Sequence, residues 1–196
     1  MLQLYGIIKT MKRRLFIAIP LSEHIKKEIQ YALDRIDPEI FLAGKEVEDK
    51  NWHITLNFLG DQDEEKIPQI ISILKEVARE RAYSKISVTL KHIDFESPEK
   101  HMMWVYGDKS SSEELGKIKE YVSHRLSDSH IHGKNDFEKF IMHITLMRFP
   151  RRPHKDVRIH EALGISFLIE QIDLMESELF PEGPEYTLFH SEKVLP

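Results

Sequence analysis

The sequence predicts an α+β fold: two similar lobes with antiparallel sheets around a central cleft, related by an approximate twofold, with helices on the outside. Three observations predict it. The tetrapeptide His53-Ile54-Thr55-Leu56 returns ninety residues later as His143-Ile144-Thr145-Leu146. Apolar runs of strand length alternate with amphipathic helical patterns, and two of the runs are spaced to pair as a hairpin, which disfavours a purely parallel sheet. Each tetrapeptide is also half wet and half apolar. Successive side chains of a strand point to opposite faces, so His and Thr share one face while Ile and Leu share the other. Two such strands facing each other put two His and two Thr around one small anion.

In chain order, Arg14 to Pro20 reads as a short buried strand ended by proline. Ser22 is a natural N-cap for a helix carrying Leu21, Ile25, Ile29, Leu33 and Ile36 at helical spacing. Phe41 to Lys50 is acidic and loop-like around Gly44, and it leads through Asn51-Trp52 into the first motif strand, closed by Gly60-Asp61. A second helix starts near Asp63, with Ile67, Ile70, Ile71, Leu74 and Val77 as its core stripe. Ile86, Val88 and Leu90 alternate with polar residues, the run ends at Ser97-Pro98, and Met102 to Tyr106 is its hairpin partner. Ser110 to Ser112 precede a helix with Leu115, Ile118, Val122 and Leu126, and His130 to Asp136 is a polar turn around Gly133. Phe140 to Leu146 is the second motif strand, followed by basic residues at 148, 151, 152, 154, 155 and 158. Ile159 to Leu163 reads as helical, Ile165 to Met175 as one strand, and Tyr186 to Val194 as the last strand after the Glu182-Gly183-Pro184 turn. The tally is about seven strands and three or four helices.

With 196 residues, 41% hydrophobic and 31% charged, the chain is long and apolar enough to bury a core without staples. We expect a tail of uncertain role at residues 1–13, with Met11 as an alternative start, and one bilobal domain over 14–196. Cysteine is absent, which excludes disulfides, thiolate metal sites and a Cys nucleophile, and fits a reducing cytoplasmic compartment. The apolar stretches of the first twenty residues are far shorter than the roughly 20 residues of a membrane span, and Lys9, Lys12, Arg13 and Arg14 lie between them. No membrane association is expected. The net charge of −5 argues against coating long nucleic acid, and leaves room for a local basic pocket that grips one end.

A single His-X-Thr in a strand is ordinary. Packing asks only for apolar residues at the Ile and Leu positions, however, and nothing in packing asks for His and Thr again on the wet face. Histidine, with an unperturbed pKa of about 6.5, takes and gives protons near neutrality, so two in one cleft serve as a base and an acid. Thr55 and Thr145 can donate to non-bridging phosphate oxygens, and Arg148 can supply charge where anionic charge accumulates. The natural substrate is a phosphodiester, most easily a strained cyclic one, cleaved without a metal. The competing scheme would use His53 and His143 as metal ligands with His101, or with His130 and His132. It is weak because Thr is a poor zinc ligand and neither motif has a carboxylate at a recurring spacing. Trp52, Trp104, Phe58 and Tyr186 are candidates for stacking on a base. No glycine-rich phosphate loop is present, so no ATP is expected.

Arg14-Leu15-Phe16-Ile17-Ala18-Ile19, Asn51-Trp52-His53-Ile54-Thr55-Leu56-Asn57-Phe58-Leu59-Gly60, His143-Ile144-Thr145-Leu146-Met147-Arg148 and Gly183-Pro184-Glu185-Tyr186 resemble, in order, the signatures of the RNA 2′,3′-cyclic phosphodiesterases. That family, also called 2′-5′ RNA ligases, belongs to the two-histidine phosphoesterases, and the resemblance runs from Arg14 to about Leu188. It implies hydrolysis of RNA 2′,3′-cyclic phosphate ends to 2′-phosphates with no cofactor and no metal, and reversible 2′-5′ joining of RNA ends in some members. It implies His53 as proton donor, His143 as proton acceptor, and Thr55, Thr145 and Arg148 as phosphate contacts. The implied partners are RNA ends or short oligonucleotides, tRNA halves among them, acted on by a monomer. Met147 departs from the small residue common at its place, which bears on the shape of the pocket. The alternatives are a non-catalytic module that captures phosphorylated RNA ends, and a phosphodiesterase for small cyclic phosphates.

Overall fold

The computed structural model describes residues 11–80, 83–96, 101–133, 139–151, 158–181 and 183–194. Residues 1–10, the Ser97-Pro98 turn, Asp136, the basic residues at 152, 154 and 155, and Glu182 therefore lie outside the described residues. The order is β1 (Lys12–Pro20), α1 (Glu23–Leu33), α2 (Glu39–Leu42), β2 (Lys45–Glu46), β3 (His53–Asp63), α3 (Ile67–Arg79), β4 (Ser87–Phe95), β5 (Met102–Gly107), α4 (Lys109–Asp128), β6 (His143–Arg148), β7 (Glu161–Leu168), β8 (Gln171–Phe180) and β9 (Gly183–Lys193).

The strands form two antiparallel sheets, β3-β1-β8-β9 and β2-β6-β5-β4-β7, so each sheet holds one His-X-Thr strand. The fold class is α+β. In the first sheet β3 lies beside β1, which leads into α1; in the second β6 lies beside β5, which leads into α4. Each helix then crosses over: α4 packs on β3 of the first sheet and α1 packs on β7 of the second. The buried residues of both sheets and all three long helices consequently form one continuous cluster.

Local chemistry explains the helix starts. Ser22 caps α1 by accepting the Ile25 N–H, and Ile25, Ile29 and Leu33 are buried along one stripe. Ser110 to Ser112 do not precede α4 but lie in its first turn, and the cap is Asp108, accepting the Ser111 N–H at 2.7 Å. The serines do something else: Ser111 Oγ accepts the Thr89 N–H of β4, and Ser112 Oγ accepts the Met142 N–H just before β6. They join the helix to the strands around His143.

Two expectations are corrected. Ile159 to Leu163 is not helical, and Ile165 to Met175 is not one strand. Glu161–Leu168 alternates in burial along its length and pairs with β4, whereas Gln171–Phe180 pairs with β1 in the other sheet. Five residues are too few to separate a period of 3.6 from a period of 2, and the polar pair Glu170-Gln171 is too brief a break to mark a change of sheet. This split, with the two-residue β2, raises the strand count from seven to nine among the described residues. The second motif strand also begins at His143 rather than at Phe140.

Each motif strand carries a bulge at the same place. Ala18 pairs with Thr55 but Ile17 with Asn57, so Leu56 is the extra residue; Trp104 pairs with Thr145 but Met103 with Met147, so Leu146 is extra. A bulge reverses the side-chain alternation beyond it. Leu56 and Asn57 are both buried, as are Leu146 and Met147, and the next residues, Phe58 and Arg148, turn outward on the face that carries His and Thr. Met147, the departure noted in the sequence, thus lies in the core.

Gly44 matters at the rim of this arrangement. A Cβ there would stand 2.8 Å from a Phe149 ring carbon and 2.9 Å from the Arg148 carbonyl oxygen, and backbone cannot yield as a flexible side chain does. Gly44→Ala is expected to cost about 1–3 kcal/mol, read as a lower urea midpoint. An unchanged midpoint would mean that the chain before β2 shifts freely.

Candidate active site

The two arms meet in one cleft. His53, Thr55 and Phe58 of β3 face His143, Thr145 and Arg148 of β6, with Val47, Asn51 and Tyr186 completing the walls of a cavity of ≈ 50 Å³. By volume it accepts a few waters or a group of about the size of a phosphate. All five residues singled out in the sequence as site candidates are therefore brought together.

The histidines are held alike. Nδ1–H of His53 donates to the Asn51 carbonyl at 2.7 Å, and Nδ1–H of His143 donates to the Ile141 carbonyl at 2.7 Å. A carbonyl only accepts, so the proton sits on Nδ1 in both rings and Nε2 is left for the cleft. Nε2 of His53 accepts from the Thr55 hydroxyl at 2.9 Å. Each ring also rests on an aromatic floor. His53 lies 4.9 Å from the Phe16 ring and meets Tyr186 edge-on at 5.3 Å, while His143 stacks on Trp104 at 4.0 Å.

These floors set the electrostatics. Burial pushes His53 down from its ordinary value to about 4; its bond to the Asn51 carbonyl opposes this, and the charges of His143 and Arg148 add to it. Burial likewise pushes His143 down, opposed by the Ile141 carbonyl and helped by Arg148. At neutral pH both rings of the free protein are neutral and both Nε2 atoms are bases. Arg148 extends to Met102 Sδ at 3.6 Å and pairs with no carboxylate among the described residues, which leaves its charge available to an anion.

Two hollows continue the cleft, both bordered by Arg148 and Tyr186. One, of ≈ 480 Å³, is largely apolar, with Phe16, Phe58, Leu179, Pro184 and Tyr186 on its walls and Arg14 at its edge. The other, of ≈ 140 Å³, is lined by Lys45, Lys50, Glu46, Glu48 and Glu185 among others. A larger cavity of ≈ 540 Å³ runs along α4 beside Lys139 to Ile141 and is lined by no residue of either His-X-Thr motif.

Of the candidate base-stacking residues, Phe58 and Tyr186 line the cleft. Trp52 does not: it is 5% exposed, with its Nε1–H donated to the Val47 carbonyl at 2.8 Å. Trp104 spends its ring face on His143. Of the basic run, Arg148 reaches the cleft, whereas Arg151 and Arg158 are exposed and do not line it. The Asn51 and Ile141 carbonyls and the Phe16 floor were not singled out from sequence, and no residue-type signal marks them, because any residue two before a histidine supplies a carbonyl.

A family model for LigT-like phosphoesterases matches residues 19–98, which include the first motif. The RNA 2′,3′-cyclic phosphodiesterase of Thermotoga maritima is 29% identical over 180 residues, 90% of this chain and 93% of that protein, so the similarity continues through the second motif. Among solved structures, TT0787 of Thermus thermophilus superposes with a TM-score of 0.76 at 24% identity, covering 92% of this chain and 97% of that one. E. coli LigT complexed with 3′-AMP gives a TM-score of 0.72 at 21% identity over 94% of this chain and 99% of that one. In the matched signature, in the aligned relative and in fold, the chain is similar to the LigT-like phosphoesterases.

Proposed function

We propose that this chain is a metal-independent phosphodiesterase that opens 2′,3′-cyclic phosphates at RNA ends to 2′-phosphates. The observation that carries the reading is the pair of Nδ1-anchored histidines, one on each sheet, flanking a phosphate-sized cavity bordered by Arg148. The activity named for the Thermotoga maritima relative supports it, as does the 3′-AMP complex of the structural neighbour.

In this reading a cyclic phosphate sits between the arms with its non-bridging oxygens toward Thr55, Thr145 and Arg148. His143 Nε2 takes a proton from the attacking water as the new P–O bond forms. The bond from phosphorus to the ribose 3′-oxygen breaks, and His53, protonated at Nε2, gives that oxygen its proton. The products are a 2′-phosphate and a 3′-hydroxyl, with the two histidines exchanged in protonation state. If a 5′-hydroxyl replaces water, the same geometry makes a 2′-5′ bond, and the reverse reaction cuts one. The assignment of donor and acceptor follows the family resemblance; the two arms are too alike for the geometry to order them.

The apolar hollow beside Phe58 and Tyr186 takes the terminal base, and the acidic balance of the chain keeps the footprint short. RNA termini, including those of tRNA halves, suit such a site, and one chain carries both arms and works as a monomer. No helix among the described residues is long and apolar enough to cross a membrane.

The test is to incubate the protein in excess EDTA with a short RNA ending in 2′,3′-cyclic phosphate and to identify the product by phosphatase sensitivity and chromatography. A 2′-phosphate is expected. Unchanged substrate that nevertheless binds would move the reading to a capture module. Activity lost with EDTA and restored by zinc would sink the metal-independent scheme.

A further inference from the structure

The concave face that carries His143 continues across the second sheet. His143 pairs across strands with Tyr106, and Tyr106 with His92, so His92 lies two strands, about 10 Å, from His143. Asp94 follows two residues later on the same face of β4, and His160 stands at the entry to β7. One ligand atom from each of His92, Asp94 and His160 lies within 4.8 Å of the other two. Among the described residues no other trio of metal-capable side chains meets so closely.

We infer that His92, Asp94 and His160 bind one divalent transition-metal ion, zinc foremost, at a site separate from the phosphate cleft. The donor geometry is near what an ion needs. Zinc bonds of about 2.0–2.2 Å place tetrahedral donors about 3.4 Å apart, and His160 Nδ1 already lies 3.3 Å from Asp94 Oδ2. The third donor has to close by about an ångström, within reach of a side-chain rotation. Asp94 is pre-aimed, because its other oxygen accepts the Phe95 N–H at 2.7 Å. His92 is held flat against Tyr106, with ring centres 5.1 Å apart and planes 14° from parallel.

A second observation points the same way. Nδ1 of His92 is buried with no hydrogen-bond partner among the described residues, a state that ordinary folding avoids and that an ion nearby relieves. Two imidazoles and one carboxylate, in a chain without cysteine, suit zinc or its neighbours and not magnesium or calcium, which prefer oxygen. His160 is 70% exposed, so an ion has an entry path and keeps coordination positions open to water or to an anionic ligand. Binding requires His160 to be neutral, with its proton on the ring nitrogen turned away from the ion. The bound ion ties the start of β7 to β4.

The inference does not rest on the proposed hydrolysis, and its test reads metal rather than turnover. Untagged full-length protein, stripped with EDTA and desalted, is dialysed against zinc and analysed for bound metal, and cobalt(II) serves as a visible-absorption reporter. One equivalent is expected, with a raised Tm. His160→Gln and Asp94→Asn are expected to weaken binding at least tenfold and to abolish the Tm shift. His143→Gln is expected to leave binding unchanged. Absence of stoichiometric binding, unaltered binding in both cluster variants, or loss of binding in His143→Gln would each overturn the site.

Discussion

Replacing either motif histidine by alanine is expected to lower kcat on a 2′,3′-cyclic phosphate by about 10³-fold or more, with the fold intact. General acid or base assistance is typically worth about 10²–10⁴-fold. Here each ring also fills the wall of a cavity of ≈ 50 Å³, so its loss admits water where the leaving group or nucleophile must be held. The double variant should be little worse than either single one, because acid and base act in the same transition state. His53→Gln and His143→Gln are the controls for packing. They keep the bulk and a polar atom near the cleft but cannot carry the proton, and they should be as slow as the alanine variants. Thr55→Val and Thr145→Val should lose less, since in the proposed reaction each would remove one hydrogen bond to a phosphoryl oxygen while Arg148 and the other threonine would remain. Circular dichroism confirms folding in each case. Retention of more than a tenth of wild-type kcat by both alanine variants would remove the two-histidine mechanism.

The pH dependence should separate the free protein from its complex with substrate. His53 is held at about 4 and His143 also lies below its ordinary value, so near pH 7 both are neutral bases. The proposed reaction needs one base and one acid. An acid that must be protonated is lost as pH rises through its pKa, so kcat/KM, which reports the free protein, should decline with rising pH and have its maximum below about 6.5. A phosphate anion entering the cleft places negative charge beside both rings and favours the imidazolium, which raises the pKa of the pair. The kcat profile, which reports the complex, should therefore lie at higher pH than the kcat/KM profile. The two limbs belong to the coupled pair rather than to one ring each. Histidine NMR titrations with and without inorganic phosphate give the same comparison directly. Coincident profiles, with no phosphate-dependent shift, would show that the cleft does not use charge in this way.

Much of the architecture is written locally. The stripe of Ile25, Ile29 and Leu33 and the Ser22 cap mark α1, and the alternation of Val88 and Leu90 followed by Met102 to Tyr106 marks the β4-β5 pair; both need only neighbours along the chain. Misreading began where the local signal was ambiguous. Ile159 to Leu163 fits two periods, and Ile165 to Met175 reads as one strand-like run, its Glu170-Gln171 break too brief to stand out, although it serves two sheets. The site divides similarly. His53, Thr55, His143 and Thr145 declare themselves by repetition, and Arg148 by following the second copy. Phe58 sits at the equivalent place after the first copy, yet the sequence offered it only as one of several aromatic residues.

Sequence alone determined the chemical groups of the candidate site: two imidazoles and two hydroxyls on the polar face of strands whose other face is apolar. It could do so because the twofold alternation of a strand is a property of adjacent residues. Only the tertiary structure decided how that chemistry is tuned. The bulges at Leu56 and Leu146 turn Phe58 and Arg148 into the cleft, and they arise from pairing with β1 and β5 rather than from any residue type. The proton on each Nδ1 is fixed by a backbone carbonyl at 2.7 Å. The depressed pKa values come from Phe16, Tyr186 and Trp104, brought against the rings from distant parts of the chain. Desolvation depends on what surrounds a group in space, and for these two histidines that surrounding comes mostly from strands far away in sequence.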